Sequence, residues 1–128
     1  MSDLLRDLFG IVTARRAEGA EGSYTAYLFE AGLDKILKKL GEECSETIIA
    51  AKNLETAFEA CAEGPDETVE ELAAANEALV GEIGDLLYHL TVMMAQCGID
   101  AEAVEAVLRA RMEKTGNLKQ SRATDRNT

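Results

Sequence analysis

Apolar residues recur along this chain with the spacing of a helix. No stretch shows the strict alternation of a half-buried strand, and there is no internal repeat. From Asp3 to Arg16, residues Leu4, Leu5, Leu8, Ile11 and Val12 predict a short amphipathic helix. Ala17–Gly22 reads as a loop, and Ser23 is placed to cap a helix over Tyr24–Glu30 that Gly32 ends. Asp34 then opens a long helical pattern reaching about Ala62, with a stripe of Leu33, Leu37, Leu40, Cys44, Ile48, Ala51, Leu54, Phe58 and Cys61. Gly64-Pro65-Asp66 is the break. A second long pattern runs from Asp66 to Cys97, striped by Val69, Leu72, Ala73, Leu79, Ile83, Leu86, Leu87, Leu90, Met93 and Met94, and Gly98 stops it. Asp100 is placed to cap a last helix to about Lys114, built on Val104, Val107 and Leu108.

Two long helices with a short connection make an antiparallel pair. The expected fold is therefore all-α: a long antiparallel pair with short flanking helices, its bundle completed by homo-oligomerisation. The oligomer is expected because Ile49 and Val92 put apolar surface near the acid-bearing sides as well, which one chain's short helices do not cover. Residues 1–114 form one domain, and the polar stretch 115–128 is expected to be mobile.

Composition agrees with helices: the chain is rich in Ala, Leu and Glu, without Trp. Charge narrows the function. Of the net −11, all falls between Glu42 and Glu82, where twelve acids face one base, Lys52. So acidic a chain is a poor partner for nucleic acid or an anionic membrane. If its substrate is a phosphate, a divalent cation must screen the acids. An odd number of cysteines, Cys44, Cys61 and Cys97, argues against a disulfide framework and for buried reduced thiols. A single histidine, His89, leaves no Cys/His zinc pattern, and it is read as a packed, hydrogen-bonded core residue. No apolar run approaches the roughly 18 residues of a membrane span, and the N-terminus has no signal-peptide core, so a reducing cytoplasm is expected.

The acids are ordered. Glu42, Glu43 and Glu46 project to one side of the first long helix, and Glu82 and Asp85 to one side of the second. Antiparallel packing can bring the two sets into one nest of carboxylates. Such a nest does not stay ionised without a cation, and hard oxygen ligands suit Mg²⁺ or Mn²⁺. Spacing alone leaves a solvated acidic face as the competing reading.

The wider segments decide between them. Ser23-Tyr-Thr-Ala-Tyr-Leu-Phe, Gly32-Leu-Asp-Lys-Ile-Leu-Lys-Lys-Leu-Gly-Glu-Glu-Cys-Ser-Glu, Ala50-Ala-Lys-Asn and Glu82-Ile-Gly-Asp-Leu-Leu-Tyr-His-Leu resemble the phosphoribosyl-ATP pyrophosphatase family of histidine biosynthesis. That family lies within the all-α nucleotide pyrophosphohydrolases, whose shared pattern is EExxE followed by ExxD. The resemblance covers roughly residues 4 to 112. It implies a homo-oligomer (a homodimer or larger), Mg²⁺, and hydrolysis of phosphoribosyl-ATP to phosphoribosyl-AMP and pyrophosphate. Position by position it implies Glu43, Glu46, Glu82 and Asp85 as metal ligands, with Glu42 as the adjoining acid, either a support for those ligands or a catalytic base for the attacking water. Lys52 and Asn53 match a pair at the family's substrate pocket. Lys35 and Lys39 share the Glu42/Glu46 side and are candidates for the substrate's phosphates, against ordinary pairing along the helix. Arg15, Arg16, Arg109 and Arg111 are weaker phosphate candidates. Gly81 and Gly84, inside a helix, suggest close approach of another helix or of substrate.

The chain departs from the family between Leu54 and Gly81, read as a hairpin extension of two to four helical turns. Its eight acids carry much of the negative charge. Two alternatives compete with the histidine-pathway reading: a house-cleaning nucleoside triphosphate pyrophosphohydrolase on the same scaffold, and a non-catalytic helical oligomer.

Overall fold

A computed structural model describes residues 3–19, 21–64 and 68–114. Five helices account for nearly all of them: α1 (Leu4–Glu18), α2 (Tyr24–Ala31), α3 (Leu33–Glu63), α4 (Thr68–Cys97) and α5 (Ala101–Glu113). There is no strand among the described residues. The expected helix ends hold to within about two residues, except that Pro65, Asp66 and the 115–128 tail lie outside the described residues.

The local signals act as expected, with one exception. Ser23 Oγ accepts the Ala26 N–H at 3.2 Å and so caps α2. Gly32, at φ +96°, ends one helix and begins the next: its N–H bonds Leu28 O at 3.1 Å, while its carbonyl accepts from the Ile36 N–H at 3.2 Å. A side chain there would be strained by that positive φ, which glycine accepts freely. Asp100 occupies the N-cap position of α5, but its side chain makes no capping bond.

α3 and α4 form the antiparallel hairpin, with α1 and α2 packed across its open end, where α3 begins and α4 ends. The core lies there: Val12, Leu28, Ile36, Val92 and Ala95, surrounded by Leu8, Phe9, Phe29, Tyr88 and Met93. Burying side chains such as Leu28 or Ile36 contributes roughly 1.5–3 kcal/mol each. Arg16 holds this end together by donating to Ala95 O at 3.0 Å and lying over the Phe29 ring. α5 is tied back to α1 by Arg6 Nε to Glu105 Oε2 at 2.9 Å. Beyond Ala50 on α3, and before His89 on α4, no described residue is fully buried, so the far half of the hairpin is two helices resting on each other alone.

Three expectations need correction. Cys44 and Cys97 are exposed and Cys61 is half-buried, because the α3 stripe that carries Cys44 does not face α4. The face that does is Ile36, Glu43 and Ala50. The stripe residues Leu37 and Ile48 stay exposed, Ile48 at 65%. Finally, α4 is long and apolar enough to cross a membrane by length and composition, with an 18-residue window of mean hydropathy 1.2. Its apolar character has a structural source, since it supplies both the hairpin interior and an exposed stripe including Ile83 and Leu87.

Candidate metal centre between the two long helices

Spacings of three and four along α3 and α4 put Glu43 opposite Glu82, Asp85 and His89. One carboxylate oxygen each from Glu43, Glu82 and Asp85 lies within 4.8 Å of the others. Thr47 fixes the register beside them: its hydroxyl donates to Glu43 O at 2.7 Å and also reaches Glu82 O on the other helix at 3.4 Å. The cluster grades outward, from buried Glu43 through half-buried Glu82 to exposed Asp85. It is therefore rooted in the hairpin and open to solvent on one side.

Its electrostatics are unfavourable for three bare anions. Glu43 is only 6% exposed, and Glu43 Oε2 and Glu82 Oε2 are buried with no hydrogen-bond partner. Burial, followed by the neighbouring Glu46, Asp85 and Glu82, pushes the Glu43 carboxyl up to about 7. Burial, followed by Glu46 and Asp85, also raises Glu82, against a lowering contact from Glu43. Glu46 thus adjoins the cluster electrostatically, although its oxygens stand outside the three-acid group and the residue is exposed. Orphaned buried carboxylate oxygens converging on one point fit a hard divalent cation with oxygen ligands.

His89 lies under the cluster, 4% exposed. Its Nδ1 is 2.7 Å from Asp85 O, and its Nε2 is 3.1 Å from the Tyr24 hydroxyl on α2. The imidazole meets Tyr88 edge-on at 4.9 Å, and the Tyr88 hydroxyl bonds Thr25. The expected packed, hydrogen-bonded histidine is what the fold contains. Tyr24, a helix start and part of the Ser23–Phe29 segment but given no site role by the sequence, stands at the rim near Lys39 and Glu43. Its contact with His89 joins positions 65 residues apart, so helical spacing carried no signal for it.

The other candidates fall in different places. Glu42 is outside the cluster, bound to Lys39 Nζ at 2.9 Å, and that ammonium holds its carboxyl below the usual range. Lys35 and Lys38 are close enough to add to the same effect. Lys52 is exposed and paired with Glu55, and Asn53 beside it is exposed. Arg16 serves the core, Arg15 lies 3.6 Å from Glu18, and Arg109 and Arg111 are exposed. Gly81 and Gly84 have open space where a Cβ would stand, so nothing among the described residues approaches them closely.

Comparison with known proteins is consistent over most of the chain. A family model described as Phosphoribosyl-ATP pyrophosphohydrolase (PRA-PH) matches residues 5–112. The chain is 46% identical over 112 residues to a protein of Pelotomaculum thermopropionicum named phosphoribosyl-ATP pyrophosphatase, covering 88% of this chain and 94% of that one. It is 44% identical over 123 residues to a protein of the same name from Clostridium botulinum (96% and 94% covered). Another so named, from Streptococcus thermophilus, is 42% identical over 115 residues (90% and 91% covered).

Proposed function

This chain belongs to the phosphoribosyl-ATP pyrophosphohydrolase family, and on that footing we propose that it hydrolyses phosphoribosyl-ATP to phosphoribosyl-AMP and pyrophosphate in histidine biosynthesis, in the cytoplasm. The single observation that carries the site assignment is the convergence of Glu43, Glu82 and Asp85, two of them with orphaned buried oxygens, on one point between α3 and α4.

These three carboxylates would hold Mg²⁺ (Mn²⁺ is an equivalent hard ion), and Glu46 would complete the ligand set from the next turn of α3. The cation, when bound, supplies positive charge to the phosphate oxygens and lowers the pKa of water at the site. Water adds to a phosphorus of the triphosphate as the bond to the pyrophosphate oxygen breaks, and the two products leave as separate anions. Glu42, kept ionised beside Lys39, receives the attacking water's proton. Lys35 and Lys39 offset the charge of the triphosphate from the same side of α3. Lys52 and Asn53, about two turns beyond Glu46, meet the more distant phosphate. A second copy of the chain covers the apolar stripe of α3 and α4.

The test is pyrophosphate release from phosphoribosyl-ATP with Mg²⁺, beside a panel of nucleoside triphosphates including dUTP and an oxidised purine. Release from phosphoribosyl-ATP, lost in Glu46→Gln and Asp85→Asn proteins that remain folded, is the expected result. Release only from the panel sinks the substrate reading in favour of a house-cleaning hydrolase. No release from anything leaves a non-catalytic helical oligomer.

A further inference from the structure

The contact between Tyr24 and His89 has a polarity. A carbonyl oxygen only accepts, so the 2.7 Å contact with Asp85 O assigns the ring proton to His89 Nδ1. Nε2 of the neutral ring is then an acceptor, and the Tyr24 hydroxyl, 3.1 Å away, is its donor. His89 is buried and wedged edge-on against both Tyr88 and Tyr24, which fixes its orientation. The Tyr24 proton is thereby committed inward. Among the described residues no other group bonds the phenol oxygen, and Tyr24 is 45% exposed. What that oxygen offers outward, at the rim of the carboxylate cluster and near Lys39, is lone pairs alone.

An acceptor-only oxygen beside a phosphate site cannot serve the phosphates, whose ionised oxygens also only accept. It needs a donor on the substrate. In a nucleoside triphosphate, the donors closest to the phosphate chain are the ribose hydroxyls, on the ring that one methylene joins to the α-phosphate. We propose that Tyr24 is a specificity-determining residue that accepts a hydrogen bond from a ribose hydroxyl of the nucleotide, with His89 as the positioning residue that sets its polarity. The proposal rests on the carboxylate cluster being the phosphate site of the function proposed above. The consequence is selection of ribo- over deoxyribonucleotides by a group that touches neither phosphate nor metal.

The experiment compares binding of α,β-methylene-ATP and its 2′,3′-dideoxy counterpart, with Mg²⁺, by calorimetric titration of the wild-type protein and Tyr24→Phe. The phenylalanine keeps the ring and removes only the oxygen. The wild type is expected to prefer the ribonucleotide about tenfold, the size of one net hydrogen bond. Tyr24→Phe is expected to stay folded and bind both equally, with unchanged Mg²⁺ affinity, although losing the donor to the buried His89 Nε2 lowers its unfolding midpoint. Undiminished preference in Tyr24→Phe overturns the proposal. So does an equal loss for both ligands, which makes the hydroxyl a donor to phosphate, and so does absence of binding or of preference in the wild type. Turnover of phosphoribosyl-ATP by the wild type, measured alongside, separates the two readings. Turnover with no tyrosine-dependent preference sinks only the Tyr24 assignment, whereas preference without turnover sinks only the substrate assignment.

Discussion

Glu43 Oε1 lies 4.0 Å from His89 Nδ1, yet that nitrogen gives its proton to Asp85 O at 2.7 Å, so the nearest imidazole does not hydrogen-bond the buried carboxylate. Glu43 is left to a proton or to a cation. Its carboxyl is raised from 4.5 to about 7, chiefly by burial. The folded chain therefore binds this proton more tightly than the unfolded chain does, and folding is favoured while Glu43 is protonated. That contribution is complete below about 4.5 and is lost as pH rises through about 7. Metal-free protein in EDTA is expected to show a lower thermal midpoint at pH 8 than at pH 6. Glu43→Gln flattens this dependence, because a neutral amide has no proton to lose. A midpoint that rises over the same interval in the wild type contradicts the account.

The same proton links metal binding to pH. At pH 6, a cation entering the cluster must displace the proton on Glu43, whereas at pH 8 that site is already open. Mg²⁺ affinity is expected to rise between these values, by up to about tenfold per pH unit while one proton is displaced. Titration calorimetry in buffers of different ionisation enthalpy reads the release directly. The apparent enthalpy varies with the buffer at pH 6 and converges at pH 8. An affinity independent of pH removes Glu43 from the ligand set.

Lys39 and Lys52, both proposed to meet phosphate, differ in what their removal does to the folded chain. Both are tied to a glutamate three residues on, but Lys39 is half-buried beside the cluster, and Lys52 is exposed on the outer reach of α3. Exposed pairs contribute about 0–1 kcal/mol, so Lys52→Ala is expected to unfold at nearly the wild-type denaturant midpoint. Lys39→Ala removes a cation from the phosphate side and releases Glu42, and kcat/KM for phosphoribosyl-ATP is expected to fall at least tenfold, with the fold retained. Steady-state kinetics and urea unfolding on the two variants check both statements. Equal activity in Lys39→Ala and wild type places the phosphates elsewhere.

Helix existence was legible because it depends on local chemistry. Ser23 caps α2, Gly32 divides α2 from α3, and the 3.6-residue period marks both long helices. Which side of α3 turns inward was not legible in the same way. The most apolar stripe, through Leu37, Cys44 and Ile48, stays outside, and the side carrying Glu43 packs against α4. Periodicity measures how well one helix segregates its residues, whereas burial depends on which partner is present, and a two-helix hairpin offers each helix one inner side. The acids were found by spacing, since three- and four-residue steps are local. Their unequal burial, and the reach of Tyr24 to His89 across 65 residues, come from tertiary packing and leave no mark on any one helix.

That outward stripe yields the last prediction. Along α3, Leu33, Leu37, Ile48 and Phe58 are exposed, and along α4 so are Val69, Val80, Ile83 and Leu87, giving two apolar ridges running the length of one hairpin. Scattered exposed leucines need no explanation, but apolar ridges on adjacent helices suit the second copy of the chain proposed as their cover. A second copy of the chain presents the same ridges, and a two-fold arrangement buries both sets at once in a four-helix bundle. Ile48 is the sharpest probe, because it is 65% exposed in the single chain and contributes nothing to its core. Ile48→Glu is expected to leave the helical content of the monomer intact and to shift the sedimentation profile from dimer to monomer at micromolar concentration. Pyrophosphatase activity falls with the dimer, since apolar surface flanking the carboxylates is then left in water. A wild-type chain that sediments as a monomer with full activity shows that the ridges are not a self-interface.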